Sequence, residues 1–401
     1  MNMPDIRDVA GICFILLLVL PCAAAAGEEW NADYGYGQYT DLFSVGGTSD
    51  GGYILGGLAH QTVGTDNAFL LHVNATGSGV WNRTYPGTSV QDVLQTSDGG
   101  YLAAAYMTSY AFETSGDYGN VSGSSLLVKT AADGTEEWRL GLDNLRASSL
   151  LSTEDGFLLT GWRYGENLTL DGFIAEYDST GSELWNQTCE NLAPYAVLDA
   201  GDGGYILAGA SSPYKDTPTD AWVMKLDSEG TLVWPKTLPE KAAFCLAPAG
   251  DGYIVAGSTA TLESYAGEAW AAKLDAEGNP VWQKSLPGVA VYGITEAREG
   301  VYVLAGKWGN NGQVLILDAS GNLISEEVYK EWGGRFNAVT STTDGGYAVA
   351  GWTRRSGEVQ GSLLKFGEPP VTPEPTGTPG FVWPLALLGL GCAVVVMRRA
   401  A

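Results

Sequence analysis

The sequence is poor in the residues from which most metal centres and catalytic triads are built. It has 2 histidines and 5 cysteines in 401 residues. The cysteines Cys13, Cys22 and Cys392 lie in hydrophobic terminal segments, and no CxxC motif or Cys/His cluster surrounds Cys189 or Cys245. These shortages give a zinc centre or a histidine-based triad little support. We therefore expect no metal, no cofactor and no disulfide.

Positive charge is also scarce. The chain has 21 Lys and Arg against 46 Asp and Glu, a formal net charge of -25. No basic patch is available to neutralise phosphates, so we expect no nucleic-acid partner. The acidic residues are dispersed, which indicates a well-solvated acidic shell or, alternatively, a cation-binding surface.

What the chain has in abundance is a repeated pair of hairpins. In residues 196–238, Asp202-Gly203-Gly204 separates two apolar runs, and glycine fits such a tight turn because it takes positive φ without a Cβ clash. A second turn, Asp227 to Gly230, leads to a strand that ends near Trp234. One repeat therefore predicts four short antiparallel strands, A to D.

Two markers count the repeats. An aromatic residue opens strand B in seven copies about 49 residues apart, at Tyr53, Tyr101, Phe157, Tyr205, Tyr253, Tyr302 and Tyr347. A tryptophan recurs in strand D, at Trp81, Trp138, Trp185, Trp234 and Trp282. In the sixth copy Ser325 replaces it, and the seventh copy stops after its third strand.

The missing last strand has a counterpart at the other end of the chain. The segment Glu29 to Gly35, with Trp30, is a strand D without a preceding repeat. Pairing it onto the seventh copy would close a ring and protect a sheet edge. We therefore predict an all-β fold: a seven-bladed β-propeller of four-stranded antiparallel blades, closed by the N-terminal strand.

On these repeats the chain resembles known seven-bladed β-propellers. The spacing from Asp178 to Trp185, matched by Asp275 to Trp282, is similar to the tryptophan-docking repeats of quinoprotein-type propellers, but differs by one residue in the turn. The paired cysteines and cofactor-binding features of those enzymes are missing, so we carry no cofactor over. The whole repeat looks most like the extracellular propellers common in methanogenic archaea.

The two ends carry targeting features. Residues 1–26 combine Arg7, an apolar run from Ile12 to Leu20 and small residues from Ala23 to Ala26, which is typical of a secretory signal peptide. We assign residues 27–367 to the propeller and residues 368–379 to a Pro/Thr-rich linker. Residues 380–401 hold an apolar segment that predicts a membrane helix.

The C-terminal segment resembles a sorting signal. Pro379-Gly380-Phe381, the apolar run and Arg398-Arg399 are similar to the PGF-CTERM tails processed by archaeosortases. That resemblance implies removal of the helix and attachment of the new end to lipid. The alternative is an ordinary single membrane helix. Either way, we expect the propeller on the extracellular face, anchored to the cytoplasmic membrane or cell surface.

The most conspicuous repeat residues have structural interpretations. An aspartate in a tight turn bonds its own backbone, which accounts for Asp50, Asp98, Asp202, Asp251 and Asp344 in the A–B turns. The strand D tryptophans fit as wedges between neighbouring sheets. His72 stands where sister repeats have lysine and is interpreted as a repeat substitution. No catalytic residue is assigned.

Two groups of residues are candidates for surface chemistry. Five Asn-X-Ser/Thr sequons, all in the first three copies, are potential glycosylation sites: Asn74, Asn82, Asn120, Asn167 and Asn186. Where strand B enters the B–C loop, aromatic and basic residues group as candidate ligand-binding positions: Trp162, Arg163, Trp308, Trp352 and Arg354. Such side chains suit sugar rings or acidic ligands.

Three functions remain open on this basis. The first is an anchored interaction or structural module of the cell envelope that contacts a protein or glycan. The second is a propeller that binds a glycan or small ligand through the aromatic and basic rim. The third, a polysaccharide lyase or hydrolase, has the least support because no catalytic group stands out, and we expect no enzyme.

Overall fold

The computed structural model describes residues 27–62, 65–87, 89–108, 123–164, 170–211, 220–259, 267–355 and 357–370. The predicted signal peptide and the apolar C-terminal segment lie outside these residues. Within them the chain folds into seven antiparallel sheets of four strands each. No helix in the described ranges is long and apolar enough to cross a membrane.

Each sheet is one blade, and its strands A to D follow in chain order. Blade 1 comprises β2 Tyr39–Gly47, β3 Tyr53–Thr62, β4 Thr65–Val73 and β5 Gly79–Pro86; blade 2, β6 Ser89–Gln95, β7 Tyr101–Thr108, β8 Gly123–Thr130 and β9 Glu136–Leu142; blade 3, β10 Arg146–Ser152, β11 Gly156–Tyr164, β12 Leu170–Asp178 and β13 Glu183–Cys189.

The remaining blades continue the pattern. Blade 4 comprises β14 Leu192–Asp199, β15 Tyr205–Ser211, β16 Ala221–Leu226 and β17 Leu232–Leu238; blade 5, β18 Ala242–Ala249, β19 Gly252–Ser258, β20 Ala269–Asp275 and β21 Pro280–Ser285; blade 6, β22 Ala290–Arg298, β23 Val301–Trp308, β24 Asn311–Asp318 and β25 Leu323–Val328; blade 7, β26 Gly334–Ser341, β27 Tyr347–Thr353, β28 Gln360–Phe366 and β1 Glu28–Tyr34.

The first strand closes the ring, as the sequence predicted. Strand β1 pairs antiparallel with β28, and it begins and ends one residue earlier than the predicted Glu29 to Gly35. Trp30 lies opposite Lys365 in this pairing, as Trp138 lies opposite Lys129 in blade 2. Trp30 is therefore the strand D anchor of blade 7.

The anchor tryptophans link successive blades. Each packs its ring on a glycine in the C–D turn of the next blade, and these glycines have positive φ. The pairs are Trp30 with Gly77, Trp81 with Gly134, Trp138 with Gly181, Trp185 with Gly230, Trp234 with Gly278 and Trp282 with Gly321. A Cβ on Gly77 would lie 2.6 Å from the Trp30 ring, so a larger residue there would displace the indole.

The boundary between blades 6 and 7 lacks this link. Ser325 replaces the tryptophan, and the C–D turn of blade 7 is divided between the first and last segments of the propeller, where the Gly367 N–H donates to Gly27 O at 2.9 Å. A cavity of about 250 Å³ remains, lined by Ile316, Ser325, Tyr347 and residues from the first and last segments of the propeller. The tryptophan is thus missing where no continuous turn exists to receive it.

Four of the five A–B turn aspartates accept the expected hydrogen bond from their own turn backbone, namely Asp50, Asp98, Asp202 and Asp344, whereas Asp251 is instead 3.7 Å from Lys273 Nζ. Asp98 accepts a hydrogen bond from the Gly100 N–H at 2.9 Å and pairs with Lys129 Nζ at 2.8 Å. Hydrogen bonds from Lys129 and Thr96 hold the pKa of Asp98 down, to about 2. His72 lies at the Lys129 position and faces Asp50 at 3.4 Å, so it is a repeat substitution as interpreted. Cys189 and Cys245 are free thiols.

Candidate binding site on the loop face

The strand order gives the propeller two unlike faces. In an antiparallel A–B–C–D blade, the A–B and C–D turns lie at one end of the strands and the B–C loops and D–A connections at the other. We call these the turn face and the loop face. The turn face carries the repeated aspartates, and the rim residues singled out in the sequence lie where strand B ends, at the loop face.

A pocket of about 390 Å³ opens on the loop face between blades 6 and 7. We call it the blade 6–7 pocket. Its walls come from the ends of two B strands and from the connection that enters blade 7. The lining residues are Lys307, Asn310, Glu331, Trp332, Gly333, Gly334, Trp352 and Arg354.

Backbone hydrogen bonds hold the connection in place. The Gly334 N–H donates to Asn310 O at 2.8 Å, and the Arg354 N–H donates to Trp332 O at 2.8 Å. Gly334 has φ +120, and a Cβ there would lie 2.1 Å from Trp352 O. Glycine is thus required for the connection to pass close to strand β27, and this passage brings Trp332 beside Trp352.

Positive charge concentrates around this pocket. Lys307 lies in its wall with a relative exposure of 8%. Burial, and secondarily the charge of Arg335, lowers the pKa of the Lys307 ammonium. Arg354 is exposed at the rim. The Arg355 guanidinium lies 3.6 Å from the centroid of the Trp332 ring. A buried ammonium beside a second cation favours an anion as its neighbour.

An ion pair with a buried carboxylate joins blade 7 to blade 1. Asp41, with no exposed surface, accepts hydrogen bonds from Arg335 at 3.0 Å, Tyr39 Oη at 3.1 Å and Asn337 Nδ2 at 2.8 Å. Burial raises the pKa of Asp41 to about 6, although Arg335 acts to lower it. This pair engages the charge of Arg335 between blades 7 and 1, while Lys307 and Arg354 line the pocket.

Three neighbouring blades, blades 4 to 6, place aromatic side chains at the same strand A position. Each strand A carries a bulge at the same position, occupied by Phe43, Gln91, Ser148, Tyr195, Phe244, Tyr292 and Asn337. The Phe244 ring contacts Tyr195 and Tyr292, with centroids 5.8 and 5.9 Å away. In blade 2, Asp92 accepts hydrogen bonds from Ser44 at 2.7 Å and the Leu150 N–H at 2.8 Å.

The structure separates the rim residues that sequence grouped. Trp352 and Arg354 line the blade 6–7 pocket. Trp308, 42% exposed, lies at the end of β23, and Lys330 Nζ is 5.3 Å from its ring centroid. Trp162 and Arg163 lie in blade 3, away from the pocket lining, where Arg163 donates to Thr188 at 2.7 Å.

Sequence reasoning missed the connection Glu331 to Gly334 as part of the site, and it missed Asp41 and Arg335 altogether. The adjacent glycines Gly333 and Gly334 could have marked this connection in the sequence. A Gly-Gly pair indicates backbone with positive φ, which both residues adopt. The Asp41–Arg335 pair joins residues 294 positions apart, and no local pattern marks it.

The sequons fall into two groups. Asn74, Asn82 and Asn186 are exposed, and Asn120 and Asn167 lie outside the described residues. Asn74 Oδ1 accepts hydrogen bonds from the Thr76 and Ser78 N–H groups at 3.0 Å, as Asp178 does in blade 3. Asn74 therefore also serves its turn, whereas Asn82 and Asn186 lie on the outer strands of blades 1 and 3.

Comparison with known proteins supports the architecture. No family model and no curated protein sequence matches this chain. Among solved structures it is similar to the WD40 repeats of RRP9, with 10% identity, a TM-score of 0.56, and coverage of 86% of this chain and 98% of that chain. It is also similar to U3-55K, with 10% identity, a TM-score of 0.55, and coverage of 85% and 99%. At these identities the likeness shows the propeller fold alone.

Proposed function

We propose that this protein is an interaction module of the cell envelope: a propeller outside the cell, anchored by its C-terminal segment, that binds an envelope protein or glycan through the blade 6–7 pocket. The proposal combines the signal-like and sorting-like ends of the sequence with the position of the pocket. The propeller supplies a rigid ring, and the variable loop face supplies the contact.

One observation carries the choice of contact surface. Two tryptophans and two cations, Trp332, Trp352, Lys307 and Arg354, converge on one pocket in a chain of formal charge -25. Aromatic and arginine side chains dominate the energetics of binding surfaces. The proposed glycan acceptors Asn82 and Asn186 lie on blades 1 and 3, which leaves the surface around blades 6 and 7 free of proposed glycans.

The role is binding rather than catalysis in this proposal. Asp41, the buried carboxylate that pairs with Arg335, is held by three hydrogen-bond donors, Arg335, Tyr39 and Asn337. A carboxylate held in this way is better suited to joining blades 7 and 1 than to acting as a general acid. Release of soluble fragments from an envelope polysaccharide would contradict the binding role.

The test is capture of envelope material by the full chain. We expect the wild type to retain an envelope fraction and the Arg354→Gln variant to retain at least about fivefold less, because Arg354 is an exposed cation of the pocket. Arg163→Gln is the matched control, since it removes an arginine from the loop face of blade 3. Equal loss in both variants, or loss in neither, would place the contact elsewhere.

A further inference from the structure

The cavity between blades 6 and 7 on the turn face is a second candidate site, separate from the blade 6–7 pocket. We propose that it binds a free planar aromatic molecule of the size of indole. We call it the anchor cavity, and its lining includes Ile316, Ser325 and Tyr347. This inference does not depend on the proposed function. It follows from the six other blade boundaries, each of which holds a tryptophan indole at the corresponding place.

The lining of the anchor cavity corresponds to residues that contact the tryptophan at other boundaries. Tyr347 opens strand B of blade 7, and its counterpart in blade 1, Tyr53, has its ring centroid 5.9 Å from that of Trp30. The same contact recurs between Trp81 and Tyr101 at 5.5 Å, Trp138 and Phe157 at 6.3 Å, and Trp185 and Tyr205 at 6.3 Å. The anchor cavity therefore has the aromatic wall of an indole site.

The strand C side of the anchor cavity is more apolar than its counterparts. The strand C residue that pairs with the anchor position is Ile316 in blade 6, where it is 4% exposed. In the other six blades this residue is polar: His72, Lys129, Glu176, Lys225, Lys273 and Lys365. Val314, which also lines the cavity, is 3% exposed. Such a lining favours an uncharged ring, because contact with apolar surface is favourable and an unpaired charge there is costly.

The volume of the anchor cavity suits a bicyclic ring. It measures about 250 Å³. In an unrelated protein, an apolar cavity of about 150 Å³ is large enough to bind benzene. The size therefore admits a ring system larger than benzene.

The backbone around Ser325 favours a free molecule over a side chain of a partner protein. Strand β25 pairs with β24 at Ser325 and Ile316, as the other strands D pair at their tryptophans. The backbone that carries the indole at other boundaries is thus already in place, and what remains is the space of a side chain. A ring without an attached chain fits that space, whereas the backbone of a partner would compete with β25 for its position.

The test is calorimetric titration of the purified full chain with indole. We expect saturable binding to the wild type. Ser325→Trp should bind indole at least about tenfold more weakly, because its side chain occupies the anchor cavity. Ser285→Trp is the matched control: it adds an indole at an exposed position of β21 in blade 5 and should bind like the wild type.

Thermal unfolding gives a second readout. A ligand that binds the folded state raises the melting temperature, so indole should raise that of the wild type and of Ser285→Trp but not that of Ser325→Trp. Without indole, Ser325→Trp should melt at or above the wild-type temperature, which separates lost binding from lost folding. If Ser325→Trp does not fold, Ser325→Leu provides the comparison: it fills less of the cavity and should bind about threefold more weakly than the wild type.

Three results would overturn the proposal. The first is the absence of saturable indole binding to the wild type, and the second is equal binding by the wild type and Ser325→Trp, which would place the indole elsewhere. The third is tighter binding of the tripeptide Gly-Trp-Gly than of indole, which would identify a tryptophan side chain of a partner protein as the occupant.

Discussion

Blades 3 and 7 each have an arginine in strand A paired with a tryptophan in strand B on the loop face, but the two arginines make different contacts. In blade 3, Arg146 and Trp162 are paired across strands A and B, as Arg335 and Trp352 are in blade 7. The Arg146 guanidinium carbon lies 4.7 Å from the Tyr106 centroid and 5.2 Å from that of Trp162. The contacts given for the Arg146 side chain are with these two rings, whereas Arg335 pairs with the Asp41 carboxylate at 3.0 Å and also lies 5.7 Å from the centroid of the Phe43 ring.

The boundary between blades 2 and 3 also differs from that between blades 6 and 7 on the turn face. Trp138 of blade 2 packs over Gly181 of blade 3, and its ring stacks on Phe157 with centroids 6.3 Å apart. At the boundary of blades 6 and 7, Ser325 leaves a cavity of about 250 Å³. The boundary between blades 6 and 7 therefore has a cavity on each face. Equivalent repeat positions have different roles because the residues around them differ.

The largest difference in stability is expected between variants of Arg335 and Arg146. Arg335→Leu leaves the buried Asp41 carboxylate without its cation, and we expect a loss of roughly 3 kcal/mol in the free energy of unfolding. Arg146→Leu removes only contacts with aromatic rings, and about 1 kcal/mol is expected. Urea unfolding midpoints measure both. Similar losses would mean that the two arginines have equivalent roles.

The next effect concerns the anchor tryptophan. Trp138→Ala should cost about 2 kcal/mol, because a half-buried indole leaves a void over Gly181. Ser325→Ala, at the equivalent position in blade 6, should change stability by less than about 0.5 kcal/mol. The same urea series compares them. An equal loss in the free energy of unfolding for Trp138→Ala and Ser325→Ala would show that Ser325 stabilises blade 6 by contacts other than side-chain packing.

The third effect is pH dependence from Asp41. Burial raises its pKa from 3.8 to about 6 in the folded protein, so folding favours the protonated form. Its contribution to stability is fully present below pH 3.8 and is lost as the pH rises through 6, on the order of 3 kcal/mol. Asp98 and Asp344, with pKa values lowered to about 2, act in the opposite direction, losing their contribution as the pH falls toward 2.

The pH slope can be assigned to its residue by substitution. Asp41→Asn should flatten the stability profile between pH 4 and 7, whatever its effect on absolute stability. Arg146→Leu should leave the slope unchanged, because the described contacts of Arg146 are with rings. An unchanged slope in Asp41→Asn would assign the dependence to another group.

The smallest effect is a gain. Ser325→Trp places in blade 6 the residue that the other blades use, and about 1 kcal/mol of stabilisation is expected from filling part of the cavity. The gain is limited because Gly27 and Pro370, from the first and last segments of the propeller, stand in place of a continuous turn. Destabilisation would show that the cavity has no room for an indole.

Local patterns predicted the fold well. The turn aspartates, the strand B aromatics and the strand D tryptophans each depend on a few neighbouring residues, so their recurrence counted the blades. Trp30 also predicted the ring closure, because a strand D without a repeat has a single vacant place in a ring. The candidate site was predicted in part: Trp352 and Arg354 lie together, whereas Trp162 and Arg163 lie in another blade.

The sequence by itself determined the repeat, the blade number and the strand that completes blade 7, because these follow from short-range turn chemistry and strand alternation. Tertiary structure alone decided that Arg335 pairs with Asp41, that Arg146 lies between Tyr106 and Trp162, and that a pocket opens beside Lys307. The physical reason is that these contacts join residues from different strands and blades. Their distances depend on how the sheets pack around the axis.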